Sequence, residues 1–183
     1  VKLQPFVVTL CGLLLYRGIT RGFTGDQSQG FGTEFKGIRE LATGEVPLFG
    51  FNLPMPCLFL IAVAVLAGVF LNKTIYGRYL LALGNNEEAA KFSGIDVDKM
   101  VILAYVICAL CSGLGGLLFV LDVNSAQPVD FGNFYELYAI AAAVLGGCSL
   151  RGGSGTILGV VIGAALMQVL RNMIVLVDWI PTH

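Results

Sequence analysis

The sequence predicts an all-α polytopic membrane protein, a helical bundle of four to five spans with one short water-facing helix held between two of them. Three observations predict it. Hydrophobic residues make up 56% of the 183 residues and charged ones only 13%, about half the charged share of an ordinary soluble domain. Mean hydropathy is +0.82. Residues 100–121 then run without an Asp, Glu, Lys, Arg or His, and about 20 apolar residues at 1.5 Å rise cross a hydrocarbon layer of about 30 Å. A formal net charge of −1 creates no field that would recruit nucleic acid, so charge acts through its placement between spans.

The elements follow in order. The apolar stretch 5–16, completed by its neighbours, gives a first span over about 1–19. Residues 17–56 are polar and glycine-rich, with Arg17, Arg21, Lys36 and Arg39 set against Asp26, Glu34, Glu40 and Glu45, and read as a long extramembrane loop. Inside it, residues 46–51 place apolar side chains around Pro47 and Gly50, as a short strand or a segment lying against the membrane. A second span covers 53–72, its prolines near the start where helices tolerate them. The third is the uncharged run 100–121. Residues 131–148, rich in alanine and closed by Gly146 and Gly147, form either a half-span or a full crossing with Glu136 near one end. A last span covers 155–177, with Trp179 suited to the interface. The chain opens on Val1 without an initiator methionine and is expected to be a fragment.

Basic residues orient the spans. Lys73, Arg78, Lys91 and Lys99 lie in the segment 73–99, whereas 122–136 holds no lysine or arginine, which places 73–99 in the cytoplasm and, by alternation, 20–52 outside. Arg17, Arg21, Lys36 and Arg39 pull against that assignment. Gly155, Gly159 and Gly163 recur every fourth residue in the last span, a small-residue face for close helix packing, within the chain or against another subunit. Ser112 and Gly116 repeat the device in the third span. Cys11, Cys57, Cys108, Cys111 and Cys148 are scattered through apolar runs, so no disulfide framework is predicted. Cys108 and Cys111 form a CxxC without a nearby His or acid and read as packing. His183 stands alone. With no Walker A loop, zinc-ligand spacing or nucleophile–histidine pair, the chain is predicted to be no enzyme and to hold no cofactor or metal. An ion-driven secondary transporter requires embedded carboxylates or broken-helix ion sites, and only Glu136 qualifies as an embedded acid.

GNNEEAAKFSG, residues 84–94, carries consistent signals for one short helix. Asn85 is the predicted N-cap, with Glu88 three residues on completing a box-like arrangement. Glu87 and Glu88 favour the positive end of the helix dipole, Ala89 and Ala90 propagate the helix, Lys91 suits its last turn, and Gly94 stops it. Two turns over 85–94, about 12 Å long, are too short to cross a membrane. The segment is either a solvated connector or a helix completed by a partner, since isolated two-turn helices are marginal.

EAAKFSG, residues 88–94, resembles the EAA-xxx-G core of the cytoplasmic loop in binding-protein-dependent ABC importers, without the downstream proline of the full pattern. VKLQPFVVTL (1–10), GRYLLALGNNEEAAKFSGIDVDK (77–99), SAQP (125–128) and AIAAAVLGGCSLRGGSGTILGVVIGA (139–164) are similar to ribose-type permeases of ABC sugar importers, in the same order and over essentially the whole chain. Branched-chain amino-acid permeases share a related glycine-rich region. The resemblance implies a bacterial inner-membrane permease subunit about twice this long, lacking here its N-terminal spans and its last one. It implies a periplasmic sugar-binding protein, a second permease subunit, identical or homologous, and a separate ABC ATPase that binds ATP and Mg. Asn85, Glu87, Glu88, Ala89, Ala90 and Gly94 would then couple to that ATPase. Asn124, Ser125, Gln127, Tyr135, Tyr138, Gln168, Arg171 and Asn172 are the candidate contacts along a sugar path; an ordinary polar loop, and an arginine snorkelling to the interface, are the alternatives.

Overall fold

The computed structural model describes residues 5–30, 36–48 and 51–178. Its elements are α1 (Pro5–Thr24), α2 (Lys36–Thr43), β1 (Glu45–Leu48), β2 (Phe51–Pro54), α3 (Met55–Lys73), α4 (Ile75–Asn85), α5 (Glu87–Phe92), α6 (Val97–Val123), α7 (Tyr135–Leu145) and α8 (Ile157–Asp178). Three stretches among the described residues are helical, long and apolar enough to cross a membrane: Met55–Lys73, Val97–Val123 and Ile157–Ile174. α1 has the length, but Arg17 and Arg21 lie in its second half. α7 has the apolarity and not the length: eleven residues reach about 16 Å, roughly half the hydrocarbon layer.

Apolar side chains point outward along these helices. Of the described residues only Ala42, Ala90, Met100, Leu121 and Ala142 form a buried apolar core, while Leu66, Ile102, Leu110, Leu158 and Ile174 are among the many large apolar residues left exposed. In water that surface would drive collapse at roughly 25 cal/mol per Å². In hydrocarbon it carries no such penalty, and close contact is left to small residues and hydrogen bonds.

The chain divides into two compact units, Val1–Pro56 with Leu114–Asn133, and Cys57–Gly113 with Phe134–His183. In the first, the Arg17 guanidinium donates to the Asn133 side-chain oxygen and, at 3.2 Å, to the Phe131 carbonyl. Gln29 and Ala126 exchange backbone hydrogen bonds of 3.1 and 2.7 Å, and the Phe119 and Phe131 rings lie 4.6 Å apart. Arg21 forms a two-pronged ion pair with Asp26. The region predicted as a loop therefore holds structure that its polarity concealed. α1 runs on to Thr24, taking in both arginines, and α2 follows. β1 and β2 pair antiparallel in the register Glu45↔Pro54 to Leu48↔Phe51. Leu53 and Pro54, predicted to open the second span, belong to this hairpin, and α3 starts at Met55.

In the second unit α3 and α4 meet at Thr74. Its hydroxyl donates to the Phe70 carbonyl at 2.5 Å and accepts the Gly77 amide at 3.1 Å, closing one helix and opening the next. α4 folds back so tightly that a Cβ on Gly77 would lie 2.5 Å from the Leu71 carbonyl oxygen and 2.6 Å from its Cα. This helix was absent from the predicted elements, because its basic and tyrosine residues read as loop.

Two predicted packing features differ in the structure. Ser112 and Gly116 are exposed, and a Cβ at Gly116 would meet nothing within 4 Å among the described residues. Cys108 and Cys111 are likewise exposed and free on α6. Residues 1–4 of the first predicted span, Trp179 and His183 lie outside the described residues.

Candidate functional site

α5 is fixed at both ends by its neighbours. Asn86, not the predicted Asn85, is the cap: only Asn86 has the extended backbone a cap requires (φ −156°, ψ 107°). Its amide donates to the Ala82 carbonyl at 3.0 Å, ending α4, and its side-chain oxygen accepts the Ala89 amide at 3.0 Å, starting α5. Asn85 is the last residue of α4. With the cap one residue later, Glu88 stands at the second helical position, too early to close a box, and acts with Glu87 through the dipole alone. The helix has six residues, about 9 Å, shorter than the predicted two turns.

Its exit is a Schellman turn. The Gly94 amide reaches the Lys91 carbonyl and the Ile95 amide the Ala90 carbonyl, both at 3.1 Å, with Gly94 at φ +80° as that turn requires. Asp96 then caps α6, accepting the Lys99 amide at 3.3 Å and pairing with the Lys99 ammonium at 2.8 Å. The Lys99 side chain and amide hold the Asp96 carboxyl below its usual range.

Only Ala90 of α5 is buried; Glu87, Glu88, Ala89 and Lys91 are exposed, and Phe92 is 91% exposed. Phe92 was not singled out in the sequence because a phenylalanine in an apolar chain is unremarked. Its signal is chemical: it is the one aromatic on a short helix otherwise built for water.

The step from α4 to α5 rests on the turn between α7 and α8. A Cβ on Gly84 would fall inside the Gly153 amide nitrogen and 3.0 Å from the Gly153 Cα. One on Gly153, itself at φ +77°, would come within 2.5 Å of the Asn85 nitrogen and 2.6 Å of its Cα. The turn is closed by Ser149 and Gly152 amides donating to the Ser154 and Ser149 carbonyls at 3.0 Å each. Two backbones meet here with no room for side chains.

Beyond the turn, α7 and α8 pack through small residues. A Cβ at Gly159 would enter the Gly146 carbonyl oxygen, and one at Gly163 the Ala142 carbonyl oxygen. Gly155, predicted on the same helical face, precedes α8 and faces the Cys148 sulfur; Thr156 caps α8 by accepting the Gly159 amide at 3.1 Å. At the far end of this pair, Arg171 donates to the Tyr135 hydroxyl at 3.5 Å. Its guanidinium carbon sits 5.7 and 5.5 Å from the ring centres of Tyr135 and Tyr138. Gln168 shares the cavity they line.

Asn124, Ser125 and Gln127 belong to the first unit and Tyr135, Gln168 and Arg171 to the second. Asn124 takes a left-handed backbone (φ +52°), its carbonyl 2.9 Å from where a Cβ of Gly30 would stand, and its side-chain oxygen is buried without a hydrogen-bond partner. Gln127 is exposed.

The family model described as branched-chain amino acid transport system / permease component matches residues 1–182. The ribose import permease protein RbsC of Bacillus subtilis (strain 168) is 38% identical over 172 residues, 93% of this chain and 52% of the relative. The D-allose transport system permease protein AlsC of Escherichia coli (strain K12) is 33% identical over 170 residues, 93% and 50%. The L-arabinose transport system permease protein AraH of the same organism is 34% identical over 180 residues, 98% and 53%. The chain spans about half the length of the curated relatives it matches. No solved structure matches it.

Proposed function

The chain belongs to the branched-chain amino acid transport system / permease component family, and from that premise we propose that it is part of the transmembrane subunit of a bacterial ABC importer. In this proposal it moves a monosaccharide such as ribose across the inner membrane. Its relatives carry the names of ribose, allose and arabinose permeases, which favours a sugar over the amino acid in the family description. ATP and Mg are bound by a separate ATPase subunit, a periplasmic binding protein delivers the sugar, and a second permease subunit completes the path.

The observation that carries the coupling role is Phe92, 91% exposed on a helix capped at both ends. Desolvated aromatics surrounded by polar contacts are what a docking groove captures. Segment 73–99 is then cytoplasmic and 20–52 periplasmic, with α3, α6 and α8 crossing and α7 reaching half-way. Movement of the ATPase pair passes through α5 to α4 and, across the Gly84 and Gly153 contact, to α7 and α8. Differential contact with α5 in the two states shifts the inward-open and outward-open populations.

Binding-protein-dependent uptake by the full-length subunit, with its ATPase, of labelled ribose, allose, arabinose and leucine tests this. Saturable uptake of one of the sugars is expected. Uptake of leucine alone, or transport that persists without ATP, sinks it.

A further inference from the structure

We infer that Tyr135, Tyr138, Gln168 and Arg171 form a polyol-binding station for the transported sugar, an assignment that rests on the import function proposed above. Arg171 is the only charged residue in the membrane-length stretch Ile157–Ile174, about 21 Å along α8 from its start. An arginine in the hydrocarbon costs about 2.5–3.5 kcal/mol and faces protein or water. Among the described residues no carboxylate pairs with it; its neighbours are two tyrosine rings and one hydroxyl at 3.5 Å. A guanidinium has five donors, and among the described residues only one of them is taken up, by the Tyr135 hydroxyl.

The cavity beside it measures about 210 Å³, with Ala142, Ala164 and Met167 among its walls. Pockets for drug-sized ligands run to about 300–1,000 Å³, so this one suits a smaller molecule. Its chemistry suits a neutral sugar: the fork of Arg171 and the amide of Gln168 donate to hydroxyl oxygens, tyrosine hydroxyls donate and accept, and the ring faces take the apolar C–H side. A cationic solute would be repelled.

The full-length permease, assembled with its ATPase and binding protein in liposomes, is assayed for uptake of labelled D-ribose, D-allose and L-arabinose. Arg171→Lys keeps the charge but loses the fork and the stacking; Tyr138→Phe keeps the ring but loses the hydroxyl. Arg171→Lys is expected to lower uptake about tenfold, the cost of one charge-assisted hydrogen bond, and Tyr138→Phe about fivefold, the cost of a neutral one. Each is also expected to change the ranking of the three sugars, with the subunits still assembled. Gln168→Leu, a mild change on an exposed helix position, is expected to alter the ranking too. Full uptake by Arg171→Lys, or a proportional fall for all three sugars with assembly retained, overturns the station. In those cases the wild type still transports, whereas a wild type that takes up no sugar overturns the import function itself and the station with it.

Discussion

Replacing Phe92 by alanine isolates the contribution of one side chain to the docking proposed for α5. Phe92 is 91% exposed, so nearly all of its surface is available to a partner. Burying a phenylalanine fully is worth about 1.5–3 kcal/mol, and the exposed fraction leaves about 2 kcal/mol once the residual alanine methyl is allowed for. That corresponds to about thirty-fold in Kd. Alanine has the higher helix propensity, and Phe92 makes no side-chain hydrogen bond, so α5 should survive and the caps at Asn86 and Gly94 stay formed. The assay is a titration of the ATPase subunit against full-length permease in nanodiscs, with sugar uptake measured in parallel. A Kd within twofold of wild type, with undiminished uptake, would refute the anchoring role of Phe92 and leave α5 a connector.

Other perturbations separate shape from contact. Gly94 has open space around its Cα but sits at φ +80°, so Gly94→Ala should cost about 1–2 kcal/mol through backbone strain alone; Gly94→Asn should cost less, and equal losses of uptake for both would deny that explanation. Gly84→Ala and Gly153→Ala each drive a methyl into backbone, and cross-linking between α4 and the α7–α8 turn should fall while α5 still binds the ATPase; unchanged uptake in both would remove this contact from the coupling path. Asp96 is held below its usual carboxyl range by Lys99, so its stabilising effect is present above the ordinary aspartate pKa and is lost as pH falls through the lowered one. Asp96→Asn should therefore lower thermal stability at neutral pH and flatten the acid limb of the profile, meeting the wild type at low pH; a loss at low pH equal to the one at neutral pH would contradict the assignment.

Much of the fold was legible in the sequence because the bilayer demands it. Uncharged runs such as 100–121 must be helices, since no other single segment satisfies its own backbone in hydrocarbon. The short helix before Gly94 was legible because capping chemistry is local. What escaped were features decided by contact. Asn85 and Asn86 are equally good caps on paper, and the choice between them is made by α4 extending until its end meets Gly153. The β1–β2 hairpin and α2 lie in a stretch whose glycines, prolines and mixed charges resemble loop. The small-residue face of α8 was visible as a spacing, but its partner α7 was not, and the identical spacing at Ser112 and Gly116 finds no cover among the described residues.

The glycines show most clearly how distant motifs become one device. Gly84 precedes α5 in sequence, and Gly152 and Gly153 lie in a turn nearly seventy residues later, yet each leaves the space that the other's backbone occupies. Gly146, Gly159 and Gly163 continue the same close packing up α7 and α8, toward the tyrosines that hold Arg171. Such a series has little compliance, because backbones in direct contact have no side-chain rotamers in which to absorb a displacement. A push on α5 therefore reaches the arginine cavity with less loss than it would through α6, whose Gly113, Gly115 and Gly116 border open space. If energy is delivered at Phe92 and sugar is held near Arg171, the glycine contacts are the shortest stiff route between them, and alanine at Gly84 or Gly153 should separate ATP hydrolysis from uptake more sharply than alanine at Gly115.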